Sequence, residues 1–167
     1  QYIAFTELQK AVEQHHAKAG AIVVLDVKTG EVLAMANLPT YNPNTRQGLT
    51  GAQLRNRVMT DTYEPGSTLK PFTVALALER GLVTPATVLD TPAKISIGPA
   101  SIGDSHGHAS TMSVAQIIQQ SSNVGTVRMA MKCEPREMWD MFTSVGFGQV
   151  PRTGFPGEVA GRLRPYK

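Results

Sequence analysis

The sequence predicts an α+β fold, and three observations carry that reading. A helical segment is followed by two β runs around a glycine turn, then a loop, then a succession of helices, so strands and helices are segregated instead of alternating as in a βαβ chain. Helix starts are marked by capping boxes and helix stops by glycine. The chain has 167 residues, 41% of them hydrophobic and only 17% charged, which is a single-domain length with no room for a solvated charge-rich segment.

The first element is expected over Phe5 to Lys18. Thr6 and Gln9 form a capping box, Leu8, Ala11, Val12 and His15 recur at helical spacing, and Ala19-Gly20 ends the run. Two strands are expected over Ala21 to Val27 and Glu31 to Leu38, joined by Lys28-Thr29-Gly30, a short connection with glycine last. Pro39 to Arg57 reads as loop because Pro39, Asn42, Pro43, Asn44 and Gly48 punctuate it. After Glu64-Pro65-Gly66, Ser67 to Arg80 reads as a helix ended by Gly81. Thr84 to Ala109 holds three prolines and is expected to be a connection with short strands at most. A second capping box, Ser113 to Gln116, opens a helix over Val114 to Gln120, and another runs from Ser121-Ser122-Asn123 to about Lys132. Pro135 suits the first position of a helix ending at Ser144 before Gly146, and the rest is glycine- and proline-rich loop.

Composition excludes several functions. The net charge of +3 is mild and no run of Lys or Arg exists, so a nucleic-acid surface is not expected. One cysteine, Cys133, rules out an internal disulfide and any CxxC zinc or redox site. The longest apolar stretch, Ala19 to Leu25, is far short of the roughly 20 residues of a membrane span. No metal or cofactor is expected.

Chemistry concentrates in Ser67-Thr68-Leu69-Lys70. A serine hydroxyl needs a base to become a nucleophile, and a lysine three residues on lies on the same helical face. Such a lysine acts as a base when its pKa falls toward neutrality, which the positive end of a helix favours. Pro71 keeps Ser67 at or beside the first turn. By itself the SxxK spacing occurs widely as an exposed serine and a solvated lysine. A second cluster, Ser121-Ser122-Asn123, follows a helix end, where a hydroxyl and an amide two apart can aim into one cleft. Serine and asparagine also favour turns for backbone reasons. Both motifs in this order, each at a helix boundary, form the pattern of penicillin-binding proteins and serine β-lactamases.

The surrounding residues sharpen the resemblance. Tyr63 to Phe72 resembles the nucleophile motif of class B penicillin-binding proteins, and Gln120 to Gly125 resembles their second motif. Val24 to Asn37 is similar to the hairpin that opens their transpeptidase domain; Arg55-Asn56-Arg57 and Gly154 to Glu158 are similar to further segments of it. The resemblance spans essentially the whole chain and is nearest to the septal, cell-division transpeptidases of Gram-negative bacteria, the penicillin-binding protein 3 type. It implies an antiparallel sheet with flanking helices plus an all-α subdomain. Residues 1–83 would carry the N-terminal helix, hairpin and nucleophile helix, and 84–167 a mostly helical subdomain with the SxN motif.

The same resemblance implies the site. Ser67 would be acylated, Lys70 would be its base, Ser121 would pass the proton to the leaving amine, and Asn123 would hold the substrate's peptide group. The substrate would be the D-Ala-D-Ala end of a peptidoglycan stem peptide, with a neighbouring stem's amine as acceptor. β-Lactams would acylate the same serine. The protein would lie on the periplasmic side of the inner membrane, held by an N-terminal transmembrane helix outside this chain, among membrane proteins of the division complex. Alternatives are a D,D-carboxypeptidase or β-lactamase of the same fold, which use water as acceptor, and a non-catalytic β-lactam sensor or division scaffold.

One part of the family pattern is missing. A Lys-Ser/Thr-Gly motif is expected well after the second motif, and nothing after Asn123 matches. Lys28-Thr29-Gly30 has the letters but precedes Ser67 and belongs to the hairpin turn. Losing a single oxyanion donor costs roughly 10²–10³ in rate, so the chain is expected to be an incomplete transpeptidase domain, inactive or nearly so by itself. Glu158 reads as a loop residue, because the Glu-x-x-Leu-Asn of class A β-lactamases is broken by Gly161-Arg162. His106-Gly107-His108 has no companion ligands, His15-His16 are expected to face solvent or a neighbouring surface, Cys133 to be passive, and the methionines of 129–141 to fill core.

Overall fold

The structure, a computed structural model, describes residues 1–45, 47–107 and 109–166. The chain groups into two units: residues 1–62 with 150–160, and residues 63–149 with 161–167. The Ser67–Lys70 stretch and the Ser121–Asn123 stretch both fall in the second of these units.

In the first unit, helix α1 spans Tyr2–Gln14. It begins before Thr6 because Gln1 anchors the start: its side-chain amide donates to the Met35 carbonyl (2.6 Å) and accepts from the Met35 N–H (2.8 Å). Thr6 is thus inside the helix, and Gln9 bonds Glu13 instead of closing a box. The helix stops four residues short of Lys18, and His15 and His16 beyond it are exposed. Strands β1 (Gly20–Leu25) and β2 (Val32–Leu38) pair antiparallel, with a register shift between Val24 and Leu25. Their turn is built by Asp26, whose carboxylate accepts the N–H groups of Lys28 and Thr29, while Gly30 takes φ +75°.

The loop expected over 39–57 contains short helices α2 (Gly51–Leu54) and the start of α3 (Arg57–Thr60). The first is opened by a Thr50–Gln53 capping box, a signal the proline and asparagine punctuation obscures. Asn37 ties the hairpin to α3, accepting the Val58 N–H (3.0 Å) and donating to the Asn56 side chain (2.9 Å). The Arg55-Asn56-Arg57 stretch is thereby structural, with Arg55 and Arg57 both pairing with Asp61.

The second unit starts with a 3₁₀ turn, Gly66–Leu69, that runs into α4 (Lys70–Glu79). Pro71 is the reason the first turn is tight. It lacks the N–H that would donate to the Ser67 carbonyl in an α-helix, so the Lys70 N–H takes that carbonyl instead. Four short strands follow: β3 (Val88–Asp90), β4 (Lys94–Ile97), β5 (Ala100–Gly103) and β6 (Thr111–Ser113). β3 pairs antiparallel with β6, and β4 with β5. Residues 84–113 thus carry only short strands, as expected for 84–109. Helix α5 (Val114–Gln119) has the Ser113–Gln116 capping box in full, α6 spans Asn123–Ala130, and α7 spans Pro135–Ser144 as expected.

The core of this unit joins Val74, Leu76 and Ala77 of α4 to Val83, Met112, Val114, Ile117, Met129 and Cys133. Met138 and Met141 pack against it, but Met131 is exposed and fills nothing. Burial raises the Cys133 thiol pKa, with Glu137 adding to it, which suits a passive thiol. No helix among the described residues is long and apolar enough to cross a membrane.

Candidate active site

The two serine motifs meet within the second unit. Ser67 is exposed on the 3₁₀ turn, and among the described residues nothing hydrogen-bonds its hydroxyl. Lys70, one turn further on, reaches the second motif instead: its Nζ donates to the Ser121 hydroxyl at 2.9 Å and to the Ser121 carbonyl. Partial burial lowers the Lys70 pKa, and the Asp104 carboxylate pulls it back up. This is the balance expected of an amine that can be both proton acceptor and donor.

The Ser121-Ser122-Asn123 turn is shaped by how α5 ends. The Ser121 N–H donates to the Ile118 carbonyl (3.1 Å) and the Ser122 N–H to the Ile117 carbonyl (3.0 Å). That pair of bonds needs a left-handed residue between helix and exit, a place usually taken by glycine. Here Ser121 takes it, at φ +54°. A residue with a Cβ in that region costs about 1–3 kcal/mol and persists only where its surroundings hold it.

Those surroundings are specific. Ser122, 1% exposed, caps α6 by accepting the Gly125 N–H (2.9 Å) and donates its own hydroxyl proton to Asp104 (2.8 Å). Asp104 also accepts the backbone N–H groups of Asn123 and Val124. The Asn123 side-chain amide donates to the Gly103 carbonyl at 2.9 Å, which orients it and leaves its oxygen for another partner.

The other candidates have no hydrogen bond to this cluster among the described residues. Glu158 accepts from the Thr153 hydroxyl and the Phe155 N–H within its own loop, and the Thr153 bond foremost lowers its pKa. His106 is exposed, His108 lies outside the described residues, and no group of three metal-binding side chains occurs among the described residues. Lys28 to Gly30 form the hairpin turn. Asp104 was not legible as a site residue. It follows a short strand in a segment without helical or strand periodicity, and the only signal was an acid directly after the glycine of Ile102-Gly103-Asp104.

A serine one helical turn before a partly buried lysine that bonds a serine–asparagine turn, on an α+β scaffold, is the arrangement known among serine acyltransferases. The chain belongs to the penicillin-binding protein transpeptidase domain family, whose model matches residues 20–167. A probable peptidoglycan D,D-transpeptidase PenA of Neisseria flavescens is 48% identical over 168 residues, covering all of this chain and 41% of that protein. Peptidoglycan D,D-transpeptidase FtsI of Escherichia coli K12 is 40% identical over 167 residues, again covering all of this chain but 28% of that protein. Among solved structures, the apo TP domain of penicillin-binding protein 3 from Burkholderia pseudomallei superposes with a TM-score of 0.85 at 49% identity, covering 99% of this chain and 45% of that one. A structure described as a peptidoglycan glycosyltransferase from Burkholderia ambifaria gives 0.86 at 50% identity, covering 99% and 48%. The chain thus spans less than half the length of each of these relatives.

Proposed function

We propose that the chain carries the nucleophile and proton-relay part of a peptidoglycan D,D-transpeptidase of the septal type. The observation that supports this most directly is the 2.9 Å bond from Lys70 Nζ to the Ser121 hydroxyl, which joins the two serine motifs in one relay. Ser67 Oγ attacks the carbonyl of the penultimate D-alanine as neutral Lys70 takes its proton. The tetrahedral adduct collapses to an ester on Ser67. The proton passes from Lys70 through Ser121 to the departing D-alanine nitrogen. The amine of a second stem peptide then attacks the ester, forming the cross-link and restoring Ser67. Asn123 offers its amide oxygen to a substrate N–H, since its amide nitrogen is held by Gly103.

β-Lactams, as strained amides, acylate the same serine. The relatives named D,D-transpeptidases favour transfer to an amine over hydrolysis. On this reading the protein works on the periplasmic side of the inner membrane, anchored by a helix preceding this segment and associated with division proteins, and a Lys-Ser/Thr-Gly strand beyond Lys167 supplies the remaining cleft wall.

The test is to incubate the full-length protein with a fluorescent penicillin and to analyse products from a stem-peptide substrate. Labelling lost in Ser67→Ala, together with cross-linked dimer formed as D-alanine is released, is the expected result. Release of D-alanine without dimer would convert the reading to a carboxypeptidase. Incubated by itself, the 167-residue chain is expected to stay unlabelled; stoichiometric labelling at Ser67 would show that the missing strand is dispensable for acylation.

A further inference from the structure

We propose that the concavity beside the second serine motif is an anion subsite, in which Lys94 and His106 take a carboxylate of the donor stem peptide upstream of its D-Ala-D-Ala end. The proposal rests on the acyl-transfer reading of this site and names a further part of its substrate.

The concavity has a volume of about 480 Å³, and its lining side chains include Thr91, Lys94, Asp104, Ser105, His106 and Ser110. Its wall is fastened from inside. Thr91, 1% exposed, donates its N–H to the Ser110 carbonyl (2.7 Å) and its hydroxyl to the Ala109 carbonyl (2.9 Å), which holds Ala109-Ser110 against the residue that follows β3. The carboxylate among the lining residues is already engaged: Asp104 accepts the Ser122 hydroxyl and the N–H groups of Asn123 and Val124. The donors are not engaged. Among the described residues, the side chains of Lys94 and His106 have no hydrogen bond or ion pair, and neither do the hydroxyls of Ser105 and Ser110.

Lys94 is laid in place by the strand pair that it belongs to. It faces Gly103 across the β4–β5 ladder, and a Cβ at Gly103 would stand 3.3 Å from Lys94 Cγ and 3.9 Å from its Cε. The lysine stem therefore runs along the bare backbone of Gly103. This glycine does not have the positive φ that would by itself call for glycine. What the missing side chain accommodates is the approach of the Lys94 stem and of the Ala93 carbonyl, 3.1 Å from the same point. The Gly103 carbonyl also holds the Asn123 side-chain amide at 2.9 Å. One residue thus orients the asparagine proposed to receive a substrate N–H and carries the stem that leads to a free ammonium.

A donor peptide with its scissile end at Ser67 and an N–H on Asn123 continues upstream along Gly103 into this concavity. A carboxylate on that part meets an ammonium, an imidazole that donates from one ring nitrogen in either tautomer, and two hydroxyls. A cationic group in the same place would find the Asp104 carboxylate already taken up by its donors.

The experiment compares two synthetic donor peptides that end in D-Ala-D-Ala and differ at one upstream side group, a carboxylate in one and its carboxamide in the other. Full-length wild type, Lys94→Gln, Lys94→Arg and Lys94→Glu are assayed for D-alanine release as kcat/KM, and for how far each peptide slows Ser67 labelling by a fluorescent penicillin. Wild type is expected to prefer the carboxylate peptide about fivefold, the upper end for a solvent-accessible ion pair, and the preference should shrink as salt is raised. It should disappear in Lys94→Gln, which keeps the stem over Gly103 and drops the charge, survive in Lys94→Arg and reverse in Lys94→Glu. Wild type that treats the two peptides alike would overturn the subsite, as would a preference unchanged in Lys94→Gln and Lys94→Glu. Wild type that is labelled by penicillin but neither turns over nor is protected by either peptide would overturn it too. Wild type that penicillin never labels would instead overturn the acyl-transfer reading on which the subsite depends.

Discussion

The two units of the chain solve the problem of burial differently. In residues 63–149 and 161–167, three helices and the β3–β6 pair enclose a cluster in which Ala77, Ile117 and Met129 have no exposed surface. In residues 1–62 and 150–160 the buried apolar residues among those described are Leu8, Ala34, Ala36 and Met59, two of them alanines. Its hairpin leaves Val24 42% and Leu25 51% exposed, and Val32 and Leu33 are exposed across from them. The residues proposed for chemistry all sit in the unit with the dense core. Holding Ser121 in a left-handed conformation requires surroundings that do not yield, and a close-packed interior supplies them where a thinly covered hairpin does not.

The largest test of this contrast is at the site. Lys70→Ala in the full-length protein should lower acylation by about 10²–10⁴, the usual contribution of a positioned base, read as the rate of fluorescent-penicillin labelling. In wild type, labelling should rise with pH as Lys70 deprotonates. Because burial holds Lys70 below its ordinary range, that rise should come at lower pH than for a free lysine. A rise at the pH of an unperturbed lysine would mean that the packed unit does not tune its base.

Next in size is truncation of each interior. Ile117→Ala removes a side chain with no exposed surface and should cost about 2–5 kcal/mol in chemical unfolding. Val24→Ala, on the half-exposed hairpin, should cost about 1 kcal/mol or less. Equal losses would erase the distinction between the units.

Glycines give a finer comparison. A Cβ at Gly125 would lie 2.5 to 2.8 Å from three carbons of Ile117, including its branch point methyl and Cγ1, so Gly125→Ala should destabilise by about 1–3 kcal/mol. At Gly20 the nearest atoms are the Cδ1 of Leu8 and the Cγ2 of Val12, both at 2.9 Å, and both are ends of side chains in the thinner unit. The Gly20→Ala change should be smaller, partly offset by the roughly 0.4–1 kcal/mol gained from a less flexible unfolded chain. Comparable in size is Ser113→Ala, which removes the α5 cap for about 1 kcal/mol without touching the relay; an accompanying loss of acylation would show that α5 itself sets the turn.

Local signals and local structure agree closely where the cause is local. Pro135 and Gly146 bound α7, the Ser113–Gln116 box opens α5, and Gly30 closes the hairpin, because each acts through backbone geometry within a few residues. Disagreement follows distant partners or competing turn signals. The start of α1 depends on Gln1 reaching Met35, and the helices within 51–60 lie where turn-forming residues dominate the pattern. The family resemblance, carried by contiguous motifs around Ser67 and Ser121, was readable without any structure and agrees with the transpeptidase-domain match.

What the linear sequence determined, then, is the order of elements, the tight turn that Pro71 imposes on Ser67, and the pair of motifs that names the family. What only the tertiary structure decided is how the second motif is held: that Lys70 bonds Ser121, that Ser122 is a buried cap, and that Asp104 grips the turn from a separate strand. The reason is physical. A proline or a capping box acts through covalent geometry and neighbouring hydrogen bonds, whereas a carboxylate's partners and a lysine's basicity are set by charges and burial that exist only once distant segments have packed together.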